Sequence, residues 1–169
     1  MTHLCPTWTI RNFLLFTSFV AICCLISALI AQHMFHVEPC ILCIYERYFY
    51  AAAAVGGVLG IWIKGERGLS YLFMLTGLIL LGGIVVGIYH LGVEEHWWQG
   101  TAACQGAPRA LTIEEFRQGL IGRPNVRCDQ INWRILGISA TWVNLIWFTG
   151  FSVLWVMTFL CCWKKTPAK

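Results

Sequence analysis

Two cysteines three residues apart stand at the edge of a long apolar run, in Glu38-Pro39-Cys40-Ile41-Leu42-Cys43-Ile44-Tyr45-Glu46-Arg47-Tyr48. On a helix, residues three apart are neighbours on one face. Proline suits the first turn of a helix, where its missing N–H would have had no partner. The pattern predicts a helix that opens here with Cys40 and Cys43 in its first turn. There the positive end of the helix dipole favours a thiolate. Arg47 follows Cys43 by one turn, and a cation at that place stabilises a thiolate or a reduced, anionic acceptor. The stretch reads as a redox-active dithiol at a membrane boundary. Cys-x-x-Cys spacing is equally that of half a zinc site, so the rest of the chain has to separate the two chemistries.

The elements that must position this pair are apolar. The chain has 169 residues, of which 58% are hydrophobic and 12% charged, against about 25% charged in an ordinary soluble domain. That excludes a conventional soluble fold. The net charge of +4 is carried by residues scattered between apolar runs. It reads as a topology signal rather than a nucleic-acid footprint. The fold class expected is an all-α membrane protein, a bundle of four transmembrane helices in a single domain over 1–169.

The first helix is expected at about 12–31, where no residue is charged and the length suffices to cross a hydrocarbon core. The run exceeds a signal-peptide core and has one arginine before it, so it reads as a retained helix. The second is expected at about 40–63, with Ala51–Ala54, Gly56 and Gly57 as a small-residue face for close helix packing. The third is expected at about 69–91 with Gly82, Gly83 and Gly87 in the same role, and the fourth at about 137–162. Loops are expected at 32–39 and 92–136. In the long loop, Trp97 and Trp98 suit a membrane interface. Around Ile113, Phe116 and Leu120 a short amphipathic helix is expected, either lying on the bilayer surface or packed on the loop itself, with Thr112 and Glu115 as its capping box.

Four crossings put both termini on one side and both cysteine-bearing loops on the other. Basic residues tie between the sides. The four lysines (Lys64, Lys164, Lys165 and Lys169) all fall on the terminal side, which favours termini inside. Persistent disulfides also belong outside the cytosol. Nine cysteines then sort by position. Cys40, Cys43, Cys104 and Cys128 lie outside. Cys23 and Cys24 are mid-membrane, and Cys5, Cys161 and Cys162 sit at the inner side, all five expected to be inert or reduced thiols. An even four outside is what two disulfides require. Near the outer end of the third helix, His90 is a candidate partner for the dithiol, with His96 as a competitor.

The string Gln32-His33 … Pro39-Cys40-Ile41-Leu42-Cys43-Ile44-Tyr45-Glu46-Arg47 resembles the DsbB family of bacterial inner-membrane thiol:quinone oxidoreductases. The likeness covers nearly the whole chain. Vitamin K epoxide reductases, a related family, carry their Cys-x-x-Cys late in the bundle and fit less well. The resemblance implies that Cys104 and Cys128 form a periplasmic loop disulfide that meets a reduced thioredoxin-fold partner resembling DsbA. Cys104 would take the attack, and Cys128 would pass the electrons to Cys40. Cys43, with Arg47 and His90, would face a membrane quinone: ubiquinone is favoured, with menaquinone as the alternative. The stretch from Gly92 to Trp98 departs from the better-known members and bears on partner identity.

Energetics favour a quinone on their own account. A DsbA-like dithiol has a potential of about −120 mV and glutathione pools about −180 mV or lower, so glutathione disulfide would be about 3 kcal/mol or more uphill as oxidant. Two readings of other classes compete. One is a structural zinc site with four thiolate ligands, Cys40, Cys43, Cys104 and Cys128. The 24-residue separation of Cys104 and Cys128 argues against it, and no metal is expected. The other is a four-helix protein with two disulfides that never turn over.

Overall fold

The computed structural model describes residues 7–104, 113, 126–131 and 133–164. Four helices dominate it: α1 (Thr7–Met34), α2 (Ile41–Trp62), α3 (Glu66–Glu94) and α4 (Ala140–Lys164). All four are bounded by polar or glycine-bearing stretches, as expected, and α1 and α3 run about a turn further at the ends than the apolar count suggests. The expected surface helix around Phe116 and Leu120 falls outside the described residues apart from Ile113, which is helical.

Among the described residues three helices are long and apolar enough to cross a membrane: Thr9–Met34, Glu66–Glu94 and Ala140–Cys162. The expectation of four such segments is met only in part. Helix α2 has 22 residues, but Tyr45, Glu46, Arg47, Tyr48 and Tyr50 crowd its first half. Those polar atoms dilute its hydropathy; Glu46, Arg47 and Tyr50 line the cavity described below, whereas Tyr45 and Tyr48 are exposed.

Helix α2 opens one residue later than the sequence suggests. Cys40 is its N-cap, extended at φ −70° and ψ 168°, and its sulfur accepts from the Cys43 N–H at 3.3 Å. A thiol thus satisfies a first-turn amide that Ser or Asp would commonly serve. Before α4 the chain forms a two-stranded hairpin, β1 (Arg134–Ile135) and β2 (Ile138–Ser139), with Arg134 paired to Ser139 and Ile135 to Ile138. Its turn residues Leu136 and Gly137 both have positive φ, 51° and 87°, the signature of a type I′ hairpin. The hairpin was not expected, because Leu-Gly is not one of the usual turn pairs.

The helices run up and down, each packed on its neighbours. Close approach depends on the small residues. A Cβ at Gly57 would lie 2.1 Å from Ser18 Cβ and 2.6 Å from the Leu14 carbonyl oxygen, so α1 and α2 meet nearly backbone to backbone. At Gly83 a Cβ would strike the Phe148 ring of α4 at 2.5 Å. Both faces were expected from the sequence. The core they enclose includes Leu14, Tyr50, Leu69, Phe73, Leu80 and Phe148. At one end Arg11 donates to the Ile63 carbonyl at 3.1 Å, tying the start of α1 to the end of α2. At the other end lie the N-terminus of α2, the C-terminus of α3 and the start of α4.

Among the cysteines expected as bystanders, Cys23, Cys24 and Cys161 are free thiols, while Cys5 lies outside the described residues. Cys162 departs from the expectation: it is disulfide-bonded.

Gly57→Ala is expected to lower the thermal midpoint of the detergent-purified protein, at a cost of about 1–3 kcal/mol, as is typical of overpacking. Gly150→Ala, where a Cβ meets nothing within 4 Å, should leave the midpoint unchanged or raise it.

Candidate functional site

Cys40, Cys43, Cys104 and Cys128, separated widely in sequence, come together at one end of the bundle. Cys40, Cys104 and Cys128 form a buried cluster with Leu42 and Val93, and Cys43 packs against it. All four carry free thiols in this structure. The Cys40 and Cys43 sulfurs are 2.9 Å apart. Cys128 packs with both Cys40 and Cys104 and is influenced electrostatically by each. The four sulfurs therefore form a continuous row in the order Cys104, Cys128, Cys40, Cys43. The loop is held to this order by its backbone too, since the Cys128 N–H donates to the Cys104 carbonyl at 3.0 Å.

The two loop thiols are pushed above the ordinary cysteine range. For Cys128 the hydrogen bond to Cys40 is the first cause and burial the second. For Cys104 burial leads, followed by the hydrogen bond to Cys128. Beside them Arg127 grips Asp129 through Nε at 2.9 Å and Nη2 at 2.5 Å, which holds the Asp129 carboxyl below its usual value.

His90 stands directly over the dithiol. It is 2% exposed, with Nε2 3.4 Å from the Cys40 sulfur and Nδ1 2.9 Å from Glu46 Oε1. The other Glu46 oxygen, Oε2, accepts from Asn144 Nδ2 of α4, and Tyr50 donates to Asn144 Oδ1 at 3.3 Å. Glu46 itself is fully buried. A carboxylate can only accept, so Nδ1 of His90 carries the proton toward Glu46 and Nε2 is left for the sulfur. Glu46 and Asn144 were missed as functional residues in the sequence. Neighbouring residues on a helix point about 100° apart, so Glu46 and Arg47 face different partners. An acid buried in an apolar helix was itself the available signal.

Arg47 faces away from Glu46. Its Nη1 donates to Gln32 Oε1 at 2.7 Å and its Nη2 to the Ala28 carbonyl at 3.4 Å, both at the end of α1. Arg47, Cys43, His90 and Glu46 share the wall of one cavity of about 520 Å³ between α1, α2 and α4, whose remaining lining is mostly apolar. His96, the competing candidate, lies elsewhere. It sits at φ 62° just past α3 and lines a separate groove of about 480 Å³ with Trp97, Trp98, Cys104 and Asp129.

Sulfurs and a histidine in this array can also ligate metal. The Cys40 and Cys43 sulfurs and a His90 ring nitrogen lie within 4.8 Å of one another. Among the described residues this is the grouping with metal-ligand geometry, and it is not the four-cysteine set.

A row of four cysteines at one end of a helical bundle, touching an apolar cavity, defines a membrane thiol oxidoreductase site. Comparison with known proteins agrees with that class. The family profile described as "Disulfide bond formation protein DsbB" matches residues 10–158, and the chain belongs to this family. It is 29% identical to disulfide bond formation protein B of Pasteurella multocida over 93% of this chain and 88% of that one. Identity is 32% to the protein of that name from Xanthomonas oryzae, over 89% and 90%. It is also 30% identical to an uncharacterized protein of Rickettsia prowazekii, over 82% and 80%. Membership implies an oxidoreductase of the membrane that acts in disulfide formation.

Because the Cys40 contact is the leading cause of the raised Cys128 pKa, Cys40→Ala is expected to lower it. The check is iodoacetamide labelling of Cys128 in the reduced protein against pH, read by mass spectrometry. The labelling midpoint should fall in the variant, and an unchanged midpoint would contradict the sulfur row.

Proposed function

We propose that this protein reoxidises a DsbA-like thioredoxin-fold protein and delivers the electrons to a membrane quinone. The observation that carries the reading is the unbroken sulfur row from the loop to the cavity wall. A partner thiolate attacks Cys104, breaking the Cys104–Cys128 disulfide. Cys128 is released beside Cys40, the sulfur it must attack in the Cys40–Cys43 disulfide. That attack forms a Cys40–Cys128 bond and releases Cys43 as a thiolate. The partner's second thiolate resolves the mixed disulfide and frees Cys104, which attacks Cys128, so the loop disulfide re-forms and Cys40 and Cys43 are left reduced. Each step forms one S–S bond and breaks one, so electrons balance throughout.

The cavity suits a quinone. Its volume lies within the range of about 300–1,000 Å³ common for small-ligand sites, and its walls are apolar with a few polar groups on one side. Arg47, His90 and Cys43 would hold the head. A quinone bound there supplies an acceptor for the two electrons and two protons released when Cys40 and Cys43 close to a disulfide. His90 Nε2 is placed to take the Cys40 proton, and Glu46 on Nδ1 orients the ring and stabilises the charge it gains, as a carboxylate does behind a catalytic histidine. Arg47, anchored by Gln32, holds positive charge near Cys43. Leu42 and Val93 keep water from the sulfurs.

The placement in the cell follows from the same reading. The protein lies in the bacterial inner membrane as a single domain over 1–169, with four crossings, cytoplasmic termini and periplasmic cysteine loops. Helix α2 completes the bundle with its polar face turned inward. Ubiquinone is the favoured acceptor and menaquinone the alternative. A zinc-binding reading rests on the Cys40, Cys43 and His90 grouping, and metal content tests it.

Purified protein with a reduced thioredoxin-fold dithiol protein should consume a ubiquinone analogue, and both Cys43→Ser and Cys104→Ser should abolish turnover. Glu46→Gln should fold and lose about 100-fold in rate, the scale of a disabled acid–base group. Absence of turnover with ubiquinone-like and menaquinone-like acceptors, together with stoichiometric zinc or inert disulfides, would sink the oxidase reading.

A further inference from the structure

The cavity beside Cys43 contains a second buried acid that the relay leaves without a task. Glu94 lies in the last turn of α3, one helical turn beyond His90 and on the same face. It is 8% exposed. Thr141 Oγ1 of α4 donates to its Oε2 at 2.7 Å. Its Oε1 is buried and has no partner among the described residues, and Glu94 forms part of the cavity wall with His90, Cys43 and Arg47. An acceptor oxygen left bare in an apolar setting is destabilising, and native structures keep such groups where a ligand or proton meets them. Joining α3 to α4 does not by itself account for it. The adjacent Glu95 already bonds Trp142 Nε1 of α4 at 3.5 Å from the outside.

We propose that Glu94 is a proton carrier of the cavity, holding a proton on Oε1 toward the bound quinone and exchanging it during turnover. The inference rests on the quinone reading of this cavity. Closing Cys40 and Cys43 breaks two S–H bonds, forms one S–S bond, and releases two electrons and two protons. A quinone passing to quinol takes up two of each, so no further reactant is needed. The chain's task is to route the protons. Cys43 releases its proton directly into the cavity it lines, and Cys40 yields its proton to His90 Nε2. Glu94 Oε1 gives up a proton on the cavity side and regains one delivered through His90, so the carboxyl ends the cycle as it began. Thr141 fixes the opposite oxygen and keeps Oε1 turned inward.

Glu94→Gln is the informative substitution, because its amide oxygen can still accept from Thr141 while the proton function is lost. The full-length protein is compared in detergent with a short-chain ubiquinone analogue. Binding is read from quenching of Trp133 and Trp147, which line the cavity. Infrared difference spectra between quinone- and quinol-loaded protein report carboxyl protonation. Glu94→Gln should bind the analogue like the wild type, lose about 10- to 100-fold in turnover at saturating quinone, and lose a carboxyl C=O difference band. Thr141→Val should retain most turnover and shift that band. Wild-type turnover in Glu94→Gln with the band unchanged would overturn the proposal. So would an equal loss in Thr141→Val, which would mark a helix pin. Should Glu94→Gln not assemble, a wild-type spectrum without a carboxyl band sensitive to Thr141→Val overturns it as well. A wild type that neither binds nor reduces the analogue would overturn both this inference and the quinone reading, and absent quenching identifies that case.

Discussion

One buried carboxylate sets the register of the bundle. Glu46 belongs to α2, and its two oxygens bind His90 of α3 and Asn144 of α4. Three helices therefore converge on a single side chain that is wholly removed from solvent. Removing one partner of a buried, hydrogen-bonded charge costs about 3–5 kcal/mol, because the remaining charge is left uncompensated. A slide of any of these helices by one turn would break the set. The close approaches at Gly57 and Gly83 make the arrangement reachable, since larger residues there would hold the helices too far apart. Chemistry and packing thus constrain each other: the carboxylate that orients His90 also fixes where Cys40 stands.

The sulfur row divides the outer end into two compartments. On one side is the groove with His96, Trp97, Trp98 and Cys104. On the other is the apolar cavity with Cys43 and Arg47. Cys40, Cys104 and Cys128 pack with Leu42 and Val93 between them. Electrons can cross this wall by exchange of disulfides without a channel for small molecules. Burial also limits attack by adventitious thiols, since exchange needs direct access to a sulfur along the line of its bond.

Much of this was legible in the sequence. The dithiol at the head of a helix, the helix count, the two small-residue faces and the shared side of four cysteines follow from spacing and hydropathy. Arg47 was legible because a cation in an apolar helix needs a reason. Its partner was not: the helix turns the adjacent Glu46 to other neighbours, and Gln32 is 15 residues away. Asn144 could not be singled out, because an amide within an apolar run carries no spacing signal until the facing helix is known. The Leu136-Gly137 hairpin escaped for a local reason. Leucine is a poor choice for φ of 51°, and the pattern lacked the asparagine or aspartate that normally announces such a turn. Helix α2 fell short of the hydropathy of its neighbours because Glu46 and Arg47, both in the cavity wall, dilute it.

The capping of α2 by Cys40 links helix order to electron count. The sulfur that holds the Cys43 amide is one that, in the proposed relay, would pass between thiolate, thiol and disulfide. A charged acceptor makes a stronger hydrogen bond than a neutral one. The clasp at the head of α2 therefore tightens and slackens as electrons arrive and leave. In the proposed relay each change of charge on Cys40 would be felt first at the backbone of Cys43.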